Sequence, residues 1–164
     1  MAMSTMLQMV SIKEIAALKK TPSGITKLNK PGAESYSTYY GATINYFLCG
    51  DAYPDGSGDN PLGAALCGIE SIAAPALENG AFTLVSPEQV RAIAKALEQV
   101  DVMKLRKQVE TADAEKLAEE DVDDFELLKE TDAPSATLVS DVRMLTTFYK
   151  DAASRNAGVV MYTT

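Results

Sequence analysis

Two stretches of the chain follow one pattern of apolar and polar positions. In "LQMVSIKEIAAL" a short apolar run ends at Val10 and meets Ser11, with Glu14 three residues on. That is a capping box, and Val10 with Ile15 completes a hydrophobic staple across it. "FTLVSPEQVRAIAKAL" repeats the arrangement with Ser86, Pro87, Gln89 and the pair Val85 and Val90. Proline at the first helical position strengthens this second start. Val90, Ile93, Ala94 and Leu97 then recur at helical spacing. Each stretch predicts a strand running directly into a capped helix.

Further apolar patterns fill in the rest. "SYSTYYGATINYFLC", residues 35–49, has the β-branched and aromatic content of a strand. Tyr36, Tyr40, Ile44, Phe47 and Leu48 fall at helical intervals, however, and the stretch is long for a strand, so it is read as a helix. Asn60-Pro61 starts a short helix "PLGAALC", and Asp101 caps another through about Val109. Leu138, Val142, Leu145, Tyr149 and Ala152 stripe a long helix that Asn156 and Gly158 bring to a stop. "GVVMYTT" is a β-branched strand suited to pair with the N-terminal one. The expected fold class is α+β: a small mixed sheet of N-terminal, middle and C-terminal strands, covered by about five or six helices. "TPSGITKLNKPGAE" reads as a polar connecting loop. The 164 residues fit a single domain, 1–164.

Composition narrows the chemistry. The chain has no histidine, which removes imidazole acid–base catalysis, histidine-activated nucleophiles and histidine-bound metals. Two cysteines fall short of a four-ligand structural zinc site. A net charge of −8 disfavours nucleic acid as a partner. No apolar run has the length of a membrane span, and "MAMSTMLQMVSIKEI" lacks the build of a signal peptide. The expectation is a cytoplasmic protein with reduced thiols and no cofactor.

Both cysteines precede a glycine, in "LCGDAYPDGSGDNPLGAALCG". Glycine in that position ends helices, so Cys49 and Cys67 are expected to close two of them. Asp51, Asp55, Gly56 and Asp59 imitate a calcium loop. Tyr53 stands where a carboxylate belongs, however, Leu62 where the bidentate glutamate belongs, and Pro54 disturbs the backbone. No lysine follows the glycines, so it is not a phosphate loop. An exposed connector dense in turn formers accounts for the stretch, with Tyr53, Asp55 and Asp59 available to a partner.

The charge is concentrated. Residues 110–132 hold eleven acidic residues and two lysines, a net of −9, leaving +1 for the rest of the chain. One reading is a solvated segment partly neutralised by the basic stretch before it, where Arg91, Lys95, Lys104, Arg106 and Lys107 lie. The other is an acidic face that steers a basic protein partner, built from Glu119, Glu120, Asp121, Asp123, Asp124 and Glu126. Leu117, Val122, Phe125, Leu127 and Leu128 are interleaved with the acids, which predicts that the segment packs on the domain. An enzyme using carboxylates and tyrosines is the alternative, favoured if two acids converge in a pocket.

The ordered pieces "MAM", "VSIKEIAAL", "INYFLCG", "NPLGAALCG", "FTLVSPEQVRAIAKALEQVDVMKLRKQV" and "LTTFYKDAASRNAGVVMYTT" resemble the YfbM-like family of bacterial proteins of unknown function, over nearly the whole chain. The resemblance implies an α+β fold. It implies no catalytic residues. Relatives are proposed as immunity proteins of toxin systems, so it implies a non-catalytic module that occludes a toxin partner encoded by a neighbouring gene. Family members often carry a histidine where Asn45 stands and a tryptophan near Gly41. "EEDVDDF" replaces a Tyr-Pro element. A site built on those groups is expected to be lost here.

Overall fold

Strand β1 (Thr5–Val10) leads into helix α1 (Ile12–Lys20), and strand β4 (Ala81–Val85) leads into helix α4 (Pro87–Glu98). Both capping boxes form. The Ser11 hydroxyl accepts from Glu14 N at 3.1 Å while Glu14 accepts from Ser11 N at 3.0 Å. Ser86 and Gln89 exchange the same two bonds at 3.3 and 2.8 Å. The strands hand their helices to opposite faces of the sheet. Val10 ends β1 on the side of Leu18 and Phe82, whereas Val85 ends β4 on the side of Val90 and Ile93. Strand parity decides this, because successive side chains alternate between faces.

The computed structural model describes residues 3–28, 34–55 and 59–164. Between β1 and β4 lie β2 (Ser35–Thr38), α2 (Gly41–Cys49), α3 (Pro61–Cys67) and β3 (Glu70–Ala73). After α4 come α5 (Val102–Glu110), α6 (Ala114–Glu119), α7 (Phe125–Lys129), α8 (Pro134–Ser154) and β5 (Gly158–Thr163). The strand order is β2-β1-β5-β4-β3, and every pairing is antiparallel. The class is α+β as expected, with three corrections of detail. Eight α-helices stand among the described residues where about five or six were expected. The sheet is antiparallel and not mixed, and β2 and β3 add an edge strand on each side. β5 lies between β1 and β4, antiparallel to both, which leaves no parallel neighbours.

Residues 35–49 are a strand and then a helix, where the spacing suggested one helix. Tyr36 and Thr38 alternate onto the core face and donate to the buried carboxylate of Asp141 on α8, each at 2.5 Å. That tie across more than a hundred residues holds the segment extended. The stretch read as a polar loop contains a 3-10 turn over Pro22–Lys27, whose Ile25 is buried beside Leu18; its residues 29–33 lie outside the described set.

The larger core lies on the α8 side of the sheet. Leu138, Val142, Leu145, Tyr149 and Ala152 all face it, in agreement with the predicted stripe. Tyr149 is fully buried and its hydroxyl donates to the Ala65 carbonyl at 2.5 Å. Asn156 turns the chain out of α8 with a φ of +52°. Gly158 is required by close approach: a Cβ there would stand 2.5 Å from Ile15 Cδ1 and 2.8 Å from the Val85 carbonyl oxygen.

Candidate functional site

Helix α2 starts without a side-chain cap of its own, since Tyr40 supplies none. A carboxylate from far along the chain caps it. Asp124 accepts from Ala42 N and Thr43 N, both at 2.8 Å, and from the Thr43 hydroxyl. An acid at the positive end of a helix is doubly favourable, through the bonds and through the dipole. Burial still outweighs these bonds and raises the Asp124 carboxyl above its ordinary value.

This cap places the acidic segment. Leu117, Val122, Phe125 and Leu128 are buried as anchors, while Glu119, Glu120, Asp121, Asp123 and Glu126 are exposed. Asp121 holds a φ of +60° in the turn between α6 and α7. Glu110 pairs with Arg106 at 3.2 Å, but none of the six acids from Glu119 to Glu126 forms an ion pair with a described residue. Among the described residues the basic stretch before the segment therefore pairs with it at Glu110 and not at the acids from Glu119 to Glu126. Glu120 meets the Tyr46 phenol, which is raised first by that hydrogen bond and then by burial.

The connector after α2 is partly anchored, not wholly exposed as expected. Ala52 and Pro54 are buried, and Asp51 Oδ1 accepts from Tyr53 N at 2.9 Å, an Asx turn. Its Tyr53 is 63% exposed and close to the acidic turn. Burial, followed by Asp123, Asp124 and Asp121, raises its phenol. Asp55 and Asp59 are exposed on either side of residues 56–58, which are outside the described set, and they line neither of the hollows described below. No group of three acids or thiols among the described residues is placed to hold a metal ion. Cys49 and Cys67 do end α2 and α3, with Gly50 and Gly68 at positive φ after them, and both thiols are free and raised by burial.

Two adjoining hollows result. The outer one, of about 480 Å³, is lined by Met3, Tyr39, Tyr53, Asp123, Asp124 and Leu127, among others. The inner one, of about 320 Å³, reaches Asn45 and Cys67 beneath the ends of β4 and β5. They share Thr5, Gly41, Ala42, Tyr53 and Thr163. Met3, Tyr39 and Tyr53 are 54%, 54% and 63% exposed, three of the few large apolar side chains left open, and they meet in one place. Of the predicted contact residues the structure thus brings Tyr53, Asp123 and Asp124 into one groove, with Asp121 beside them.

Met3, Tyr39, Thr163 and Asn45 were not foreseen as part of it. Asn45 did carry a signal of its own. A buried amide between Ile44 and Tyr46 is a poor choice for a helix interior unless its polar atoms have work there.

An antiparallel five-stranded sheet with this helix order is the fold of an established class. The chain belongs to the family described as "domain of unknown function (DUF1877)", which it matches over residues 1–162. Among solved structures it is similar to YfbM from Escherichia coli, a protein of unknown function, with a TM-score of 0.68 and 16% identity over 98% of this chain and 99% of that one. At that identity the likeness establishes the fold. No curated protein matches the chain.

Proposed function

We propose that the protein is a non-catalytic cytoplasmic docking module that binds a basic protein partner at the outer groove, in the manner of an immunity or antitoxin protein. The observation that carries this reading is the meeting of Tyr39, Tyr53 and Met3 with acids that have no ion-pair partner among the described residues. Exposed aromatic and methionine side chains are the usual anchors of interfaces, and unpaired charge at their rim supplies steering and specificity. A carboxylate enzyme is less well supported. Asp123 and Asp124 share the groove, but both oxygens of Asp124 accept bonds from the start of α2. No helix among the described residues is long and apolar enough to cross a membrane.

The test is co-purification with the basic product of an adjacent gene, repeated with Tyr53→Ala and with Glu119→Lys/Asp123→Lys. Tyr53→Ala is expected to weaken binding by about 30-fold, the scale of a hot-spot residue. The double charge reversal is expected to slow association. Asp124 is left intact because its loss would uncap α2. Unchanged binding in both variants would remove the reading.

A further inference from the structure

Met3, Tyr39 and Tyr53 line the outer hollow with most of their surface still open, and separate parts of the chain hold each in place. Met3 is fixed at the end of the sheet, where Ser4 and Thr164 exchange backbone hydrogen bonds of 3.0 Å in both directions. Tyr39 follows β2 in the turn before α2, where the Thr38 hydroxyl accepts from Tyr40 N at 3.0 Å. Tyr53 sits on the Asx turn closed by Asp51. Burial, and then Asp123, Asp124 and Asp121, raise its phenol, so the ring stays neutral and keeps its electron-rich face.

Asp123 and Asp124 bring charge to the same wall, and no lysine or arginine lines either hollow. Asp124 accepts three bonds from Ala42 and Thr43, yet a carboxylate whose acceptor positions are taken still carries its charge. Asp123 is exposed and free of donors from the described residues. A primary ammonium or a guanidinium entering here gives up water hydrogen bonds that this wall replaces only in part. A quaternary ammonium has no N–H to satisfy. Negative charge and ring faces attract it, and its methyl groups suit Met3 and Leu127.

The inner hollow continues from the same floor, sharing Thr5, Gly41 and Thr163 with the outer one. Its polar wall is mixed. Thr5, Thr83, Thr163 and Tyr162 supply hydroxyls, and the exposed Asn79 an amide. A hydroxyl group both donates and accepts, so it fits such a wall. A carboxylate meets no cation there, and Asp51 acts on Cys67 from one side.

We infer that the two hollows together bind a small quaternary ammonium alcohol, its methylated cation at Tyr39, Tyr53 and Asp123 and its hydroxyl among the threonines of the inner hollow. This goes beyond the docking reading, because a free small cation needs no protein partner. Its failure would leave docking, read from co-purification, untouched.

The test titrates the full chain with choline and follows the Gly41 backbone amide and the Met3 methyl group by NMR. Three analogues each change one feature. Ethanolamine lacks the methyl groups, dimethylbutanol is the uncharged carbon isostere, and glycine betaine replaces the hydroxyl with a carboxylate. Saturable shifts with choline are expected, with a dissociation constant of about 1 mM. Each analogue should bind about fivefold more weakly or worse. Tyr39→Ala and Tyr53→Ala are expected to weaken choline binding about fivefold each, whereas Tyr53→Phe keeps the ring and should retain it. Both side chains are exposed, and an unchanged urea midpoint confirms that these variants fold. Shifts absent up to about 20 mM would overturn the inference. So would any analogue binding as tightly as choline, an affinity unaltered by both alanine variants, or a loss in Tyr53→Phe as large as in Tyr53→Ala.

Discussion

Asp124 and Asp141 belong to a strongly acidic chain, yet neither is a free surface charge. Asp124 caps α2, and Asp141 receives the hydroxyls of Tyr36 and Thr38 in the core. Asp124→Ala leaves two backbone N–H groups without their acceptor and is expected to lower stability by about 1–3 kcal/mol, read from the urea midpoint. Asp124→Asn keeps one acceptor oxygen and should lose less. Burial, the largest influence, raises the Asp141 carboxyl despite its two donors. A carboxyl raised in the folded state binds its proton more tightly there than in the unfolded chain, whose value is about 3.9. Its contribution is complete below that pH and is lost as pH rises through the raised value. The stability of Asp141→Asn relative to the parent should therefore climb with pH through that window and level off above it. Urea titrations at a series of pH values would show the climb, and a flat difference would contradict it.

Elements whose signals were local were legible in the sequence. Both capping boxes, the Asn60-Pro61 start, the Asp101 cap and the α8 stripe are written within a turn or two of where they act. What was not legible depended on distant partners. Tyr36 fits a helical stripe in sequence, and only the ladder with β1 and the tie to Asp141 across the core make it a strand residue. Asp124 looks like one acid among many until the bare start of α2 is set against it. The groove was half legible for the same reason: Tyr53 and the acids stood out separately, but their meeting required the α2 cap. β1 and β5 pair over six residues, and Gly158 begins that pairing beside Ile15 and the Val85 carbonyl. Backbone cannot yield as a flexible side chain can, so Gly158→Ala is expected to cost about 1–3 kcal/mol by denaturant unfolding. A neutral result would mean that α1 shifts outward freely.

For the molecule as a whole, the charge is one-sided because a single segment holds all the excess. Exposed acids of this kind act over about 8–10 Å at ordinary salt. If the outer groove docks a basic protein, the association rate should fall steeply with added salt while the dissociation rate changes little. Stopped-flow measurements at several ionic strengths would show this, and salt-independent association would weaken the steering argument.

The placement of β5 sets the order in which the sheet can be completed during synthesis. β1 with β2 and β3 with β4 are two antiparallel strand pairs that share no ladder; only Gly158–Thr163 joins them, from the centre. Ribosomes deliver these residues after every other element, and the contacts they make with β1 span most of the sequence, a separation that slows folding. Nascent chains stalled before Gly158 should remain sensitive to protease, and resistance should arise abruptly once β5 has cleared the exit tunnel. Until then the core faces of both strand pairs lack their central strand, and exposed apolar surface of that kind favours aggregation of incomplete chains.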